Sequence, residues 1–174
     1  MDLPKRKQLR LKGYDYSSQG CYFITISTAD HQKLFWHGEK LNLYGKIVEK
    51  HILQIPKKYF GVKLDNYVVM PNHVHLLITI GCDALPDDEE TLMNSFNGVY
   101  KFKGIPTMIG SLKSAISKDI KRYNSNINIW QKSYYDHIIK NNDDYNKTWD
   151  YIENNPGVYL DRVSEKPYTV GNGR

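Results

Sequence analysis

The chain has 174 residues, 24 of them Lys or Arg and 19 Asp or Glu, for a formal charge of +5. A hydrophobic share of 40% against 25% charged excludes wholesale disorder and fits one domain of ordinary size. No apolar run reaches the ~18 residues of a membrane span, and Cys21 and Cys82 form no CxxC, so a cytoplasmic setting without membrane contact is expected.

Residues 1–20 read as a basic arm, since Lys5, Arg6, Lys7, Arg10 and Lys12 stand among few apolar anchors. That suits a solvated tail or a phosphate-contacting arm. Residues 22–28 (YFITIST) are aromatic and β-branched and predict the first strand. Residues 43–55 set Ile47, Val48, His51, Ile52 and Ile55 near one helical face, with Pro56 as the stop. Strands over 64–70 and 73–80 follow, joined by a Pro71-Asn72 turn. Residues 81–106 keep no period and read as an inserted flap.

From 107 to 123, apolar residues at 109, 112, 116 and 120 form one helical stripe. Lys113, Lys118, Lys121 and Arg122 occupy its other faces, for tracking phosphates or for plain solvation. Residues 129–139 read as a fourth strand, in which His137 beside Asp136 is a candidate base or DNA contact but reads first as structural. A last helix is predicted over 143–155, capped by Asn142 or Asp143 and ended at Asn155-Pro156. Residues 157–174 read as a tail, which leaves 21–156 as the domain.

The order β-α-β-β-α-β-α predicts an α+β, ferredoxin-like split β-α-β sheet, with helices on one antiparallel face and the other open. His73 and His75 are the sharpest feature. At i and i+2 of a strand they share a face, roughly 6.5 Å apart at their Cα atoms. Val74, Leu76, Ile78 and Ile80 take the helix-covered face, so both imidazoles fall on the other. Two imidazoles leave a metal under-coordinated, and the last helix offers a third donor. Its apolar face is Tyr145, Thr148, Trp149 and Ile152, and just beside it Tyr151 and Asn155 lie one turn apart. An amide oxygen from Asn155 would complete a His-His-Asn site with open positions, with the Tyr151 hydroxyl within a turn. Strand histidines and rim tyrosines also serve as plain packing. The combination carries the inference.

PNHVHLLI resembles the His-hydrophobic-His signature of the single-tyrosine HUH nucleases and transposases, and YIENNP resembles their nucleophile helix. The likeness extends to the REP-associated tyrosine transposases through RLKGYDYSSQGCYFITIST, LDNYVVMPNHVHLLI, IGSLKSAISKDI and WQKSYYDHII, covering most of residues 10–156. Asn155 stands where mobile-element relatives often have Gln, and Leu112 where several members have Phe. The resemblance implies cleavage and strand transfer on single-stranded DNA at hairpin, REP-like palindromes, by transesterification. Tyr151 would be the nucleophile, forming a 5′-phosphotyrosine link. Mg²⁺ or Mn²⁺ would be held by His73, His75 and Asn155. Arg6, Arg10 and Tyr14 would read bases near a hairpin foot, with the protein acting as monomer or homodimer. Two other readings are an insertion-sequence transposase acting on its own element ends, and a non-catalytic hairpin-binding module.

Overall fold

The computed structural model describes residues 14–81 and 104–164. Arg6 and Arg10, residues 82–103 of the expected flap and residues 165–174 of the expected tail lie outside the described residues. Four strands form the main sheet: β1 (Gly20–Ser27), β4 (Val62–Met70), β5 (His73–Ile80) and β6 (Tyr135–Ile138). Between β1 and β4 come a short hairpin, β2 (Trp36–His37) and β3 (Lys40–Leu41), then α1 (Leu43–Ile52) and α2 (Ile55–Lys58). Helix α3 (Ile105–Ile120) precedes β6, and α4 (Asn142–Ser164) follows it. The sheet order is β4-β5-β1-β6 with every pair antiparallel, which is the expected ferredoxin-like arrangement.

Strand register sorts the side chains. Tyr22, Ile24 and Ile26 of β1 stand opposite Ile78, Leu76 and Val74 of β5, all almost fully buried on one face. The α1 stripe of Val48 and Ile52 packs there. So does the α3 stripe of Ile105, Met108, Ile109, Leu112, Ile116 and Ile120. Each such side chain removed from water contributes about 1.5–3 kcal/mol before entropy is counted. Asn42 caps α1 by accepting the Gly45 N–H at 3.0 Å, filling one of the donors a helix start leaves unpaired.

Several expected boundaries move. The helix expected over 43–55 ends at Ile52, and Pro56 sits in the first turn of α2 rather than stopping a longer helix. Proline is tolerated there because a first-turn N–H has no partner to lose. The flap was expected to run to residue 106, but Ile105 and Pro106 already belong to α3. Tyr16 is 7% exposed and its carbonyl accepts the Ile105 N–H at 3.1 Å, so the packed chain begins before residue 20. The strand expected over 129–139 is split: Trp130 bridges Thr28, with the Ala29 N–H on the Ile129 carbonyl at 2.9 Å and the Gln131 N–H on the Ser27 carbonyl at 3.0 Å, and only Tyr135–Ile138 forms a continuous ladder beyond it. Lys113 Nζ reaches the carbonyls of Gln131 (2.6 Å), Lys132 (3.4 Å) and Ser133 (3.4 Å), drawing them to α3 instead of into a ladder.

The largest departure is α4. Its cap is Asn141, whose side chain accepts the Asp144 N–H at 2.9 Å, one residue before Asn142 and two before Asp143, the expected caps. The helix then runs through Pro156 to Ser164, past the expected end at residue 155. An interior proline forfeits the N–H that would bond the carbonyl four residues back, at a cost of about 3 kcal/mol. Docking offsets that loss: the Tyr159 ring stands edge-on to Trp36 at 5.8 Å, with Lys33 Nζ 5.6 Å from its centroid. Trp36 is itself fixed by an indole N–H bond to the Val69 carbonyl at 2.7 Å. Helix α4 lies on the sheet face opposite α1 and α3, over β4 and β5. The second face is therefore not open. Met70 and Leu77 are buried beneath the helix, and Asn66 Nδ2 donates to Glu153 Oε1 at 3.0 Å.

Candidate active site

His73 and His75 stand opposite Ser27 and Thr25 of β1, so both rings point toward α4. Their Nε2 atoms approach to 3.1 Å. The outer nitrogens are tethered: His73 Nδ1 to Asn72 Oδ1 at 2.8 Å and His75 Nδ1 to Thr25 Oγ1 at 2.9 Å. The Asn72 tether fixes a tautomer. Asn72 Nδ2 donates to the His31 carbonyl at 3.3 Å, so its Oδ1 faces His73 and accepts from Nδ1–H. That leaves the His73 Nε2 lone pair aimed at His75. With no ion between the rings, His75 Nε2–H donates to His73 Nε2 and the Thr25 hydroxyl donates to His75 Nδ1; when Thr25 instead accepts from Nδ1–H, the second lone pair is freed. Two imidazole lone pairs converging from oriented rings are a donor set that fits a divalent ion.

Burial, aided by the neighbouring His31, lowers the His73 pKa to about 4. Burial, aided by His73, lowers that of His75 to about 3. Both rings are then neutral at ordinary pH, the form a metal requires. The same shifts have a stability consequence. The unfolded chain protonates such rings near pH 6.5, whereas the folded chain does so only near 4 and 3. Their contribution is thus complete above pH 6.5 and is lost as pH falls toward 4 and then 3. In chelator-treated protein the thermal midpoint should decline from pH 6.5 to 4, more steeply in wild type than in His73→Ala. Identical slopes in the two proteins would contradict a buried neutral pair.

Helix α4 lays Lys147, Tyr151, Asn155, Val158 and Arg162 along one stripe beside the histidines, and with His73 and Met70 they border a cleft of about 540 Å³. The Tyr151 ring is edge-on to His75 at 5.2 Å and to Phe23 at 6.0 Å, while Phe23 stacks on His75 at 5.1 Å. Tyr151 is nonetheless 52% exposed, so its hydroxyl is reachable from solvent. The described residues contain no cluster of three His, Cys, Asp or Glu placed to hold a metal. Asn155, with its amide oxygen, lines the same cleft as His73.

The structure thus brings His73, His75, Tyr151 and Asn155 to one place. Other sequence-stated residues stand apart. Tyr14 bonds its hydroxyl to that of Tyr22 at 3.2 Å and sets its ring edge-on to Tyr16, on the side of the sheet that α1 and α3 cover. Lys113 is spent on the three carbonyls of residues 131–133, and burial lowers its pKa. Lys118, Lys121 and Arg122 lie on and after α3, across the sheet from the histidines; Arg122 pairs with Asp119 at 3.6 Å. His137 does not pair with Asp136. Its Nε2 lies 2.9 and 3.0 Å from the two Asp144 oxygens.

Sequence reading missed Asn72, Thr25 and Phe23 around the histidines, and Lys147 and Arg162 along the helix. Asn72 had a signal in its place directly before His73. Lys147 and Arg162 fall at i−4 and i+11 from Tyr151, but the latter is visible only if the helix continues beyond Pro156. Thr25 and Phe23 needed the β1–β5 register.

No family model matches the chain. An uncharacterised protein of Haemophilus influenzae (strain ATCC 51907 / DSM 11121 / KW20 / Rd) is 32% identical over 160 residues, covering 87% of this chain and 88% of that protein. A second protein of that strain, named provisionally as a REP-associated tyrosine transposase, is 23% identical over 163 residues, 89% of this chain and 81% of its own length. A solved REP-associated tyrosine transposase bound to a REP hairpin has a similar fold, with a TM-score of 0.54 and 21% identity. That match covers 91% of this chain and 81% of the other.

Proposed function

We propose that the chain, similar in sequence and fold to REP-associated tyrosine transposases, acts as one of them and cleaves and rejoins single-stranded DNA beside REP-like hairpins through a covalent link to Tyr151. The observation that carries this reading is a half-exposed tyrosine set edge-on to one of two histidines whose Nε2 atoms converge at 3.1 Å.

The Tyr151 hydroxyl oxygen attacks the scissile phosphorus. A P–O bond forms to the tyrosine and the bond to the 3′ oxygen breaks, with one proton passing in net from the phenol to the departing 3′-OH. The 5′-phosphotyrosine keeps the phosphoester, so a 3′-OH strand can reverse the step and rejoin without ATP. Bound at His73, His75 and Asn155, Mg²⁺ or Mn²⁺ would supply Lewis-acid polarisation of the phosphate. His73 and His75 stay neutral and oriented by Asn72 and Thr25. Arg162 and Lys147 supply cations at the cleft for the DNA backbone, Lys147 from an exposed pair with Asp143 at 2.7 Å and with Asp150 also on the lining.

The direct test incubates the protein with a panel of single-stranded hairpins and Mg²⁺ or Mn²⁺, then looks for a covalent protein–DNA band on a denaturing gel. A band is expected with hairpins, with salt-sensitive binding that is weak on blunt duplex. Metal-independent binding with no covalent product would replace this reading with a binding module.

A further inference from the structure

Tyr151 forms a wall between two hollows. One is the cleft that also borders His73 and Asn155. The other, of about 280 Å³, is lined by Phe23, Tyr135, His137, Lys147, Thr148 and Tyr151. We infer that this second hollow receives one unpaired nucleobase flanking the phosphate presented to Tyr151. The inference rests on the proposed reading of Tyr151 as the nucleophile.

Position is the first argument. A strand that presents its phosphorus to Tyr151 carries nucleotides onward on both sides of that side chain. One side leads along the cleft toward Asn155 and Arg162, and the other leads over the second hollow. Lys147 and Tyr151 border both; the Lys147 ammonium donates to Asp143 at 2.7 Å, a surface ion pair that a backbone phosphate on either side can replace at little cost. Chemistry is the second argument. Strand β6 pairs with β1, setting His137 opposite Phe23 and Tyr135 opposite Thr25, all on the face that carries the histidines. Tyr135 is 52% exposed, an aromatic ring held out on a short terminal strand of the sheet, with the half-buried Phe23 beside it. An exposed aromatic next to a second ring and a lysine matches how single strands are gripped, by stacking on the bases and charge along the backbone.

Rigidity is the third argument. Both Asp144 oxygens hold His137, and Asp144 also accepts the Lys140 N–H at 3.0 Å. The His137 wall is therefore fixed to the start of α4, the helix that carries Tyr151. A base in the hollow would be positioned by the same element that positions the nucleophile. Sequence selectivity at the nucleotide beside the break then follows from this wall, not from the histidine pair.

The test uses Tyr151→Phe protein, so that binding is read without turnover, and the highest-affinity hairpin of the panel carrying single-stranded flanks. Each flank nucleotide is replaced in turn by an abasic residue. At one flank position the abasic DNA should bind about tenfold more weakly, as loss of one stacked base predicts. Adding Tyr135→Ala or Tyr135→Leu should give the same loss on intact DNA and no further loss at that position. Tyr135→Phe should bind like the parent. Because Tyr135 is exposed these variants should keep the parent's melting temperature, and using both guards against one that does not. Abasic losses that are equal in parent and Tyr135 variants at every position would overturn the pocket, whichever other ligand fills the hollow. The two readings separate cleanly: a covalent adduct from wild type without this coupling removes the pocket alone, and coupling without an adduct removes the cleavage reading alone.

Discussion

Tyr151→Phe should lower formation of the covalent protein–DNA product by on the order of 10³-fold or more, while leaving hairpin affinity within a few-fold of wild type. The substitution removes one oxygen and keeps the ring. The edge contacts to His75 at 5.2 Å and Phe23 at 6.0 Å depend on that ring, and half-exposure means that no buried partner is orphaned. Binding and folding should therefore survive a change that deletes the reacting atom. A denaturing gel reads the adduct and a filter or anisotropy assay reads affinity. An adduct persisting in Tyr151→Phe would move the nucleophile elsewhere. Tyr159 would come first, since it borders the same cleft, and then Tyr145, which is directed toward Asp65.

The donor set should show losses of similar size. His73→Ala and His75→Ala each remove one of two converging imidazoles, and each should lose most cleavage activity. Asn155→Ala should also be severe, whereas Asn155→Gln should keep part of the activity because the amide oxygen survives on a longer arm. EDTA should silence wild type, and Mn²⁺ should restore it at lower concentration than Mg²⁺, as nitrogen donors favour the later metal. Folding must be followed alongside. His75 is 4% exposed and its removal leaves a hole beneath Tyr151 and Phe23, so a stability loss of about 1–3 kcal/mol is expected there. His73 is less buried and gives the cleaner comparison. Full cleavage in EDTA, or wild-type rates from the double alanine variant, would end the metal-assisted reading and leave a different source of phosphate activation to be found.

Periodicity decided much of this protein from the sequence alone. A strand alternates faces by geometry, so Val74, Leu76, Ile78 and Ile80 on the buried side place His73 and His75 together on the other, whatever the rest of the chain does. The α3 stripe and the element order followed from the same local rule, and the spacing of Tyr151 and Asn155 needed only 3.6 residues per turn. Where partners distant in sequence compete with a local rule, the sequence was silent or misleading. Asn155-Pro156 is a stop signal locally, yet α4 continues, with Tyr159 docked on Trp36 more than a hundred residues away in the chain. Lys113 looked like a free cation on a helix face, but the path of residues 131–133 gives it three carbonyls. His137 sits beside Asp136 in sequence, yet a β-strand turns successive side chains apart, and the fold gives it Asp144 instead. Register between β1 and β5 supplied Thr25 and Phe23 to the histidines. Local pattern sets which face a residue takes. Only the packed chain sets what waits there, because contact across the sheet depends on register and docking that no short window of sequence contains.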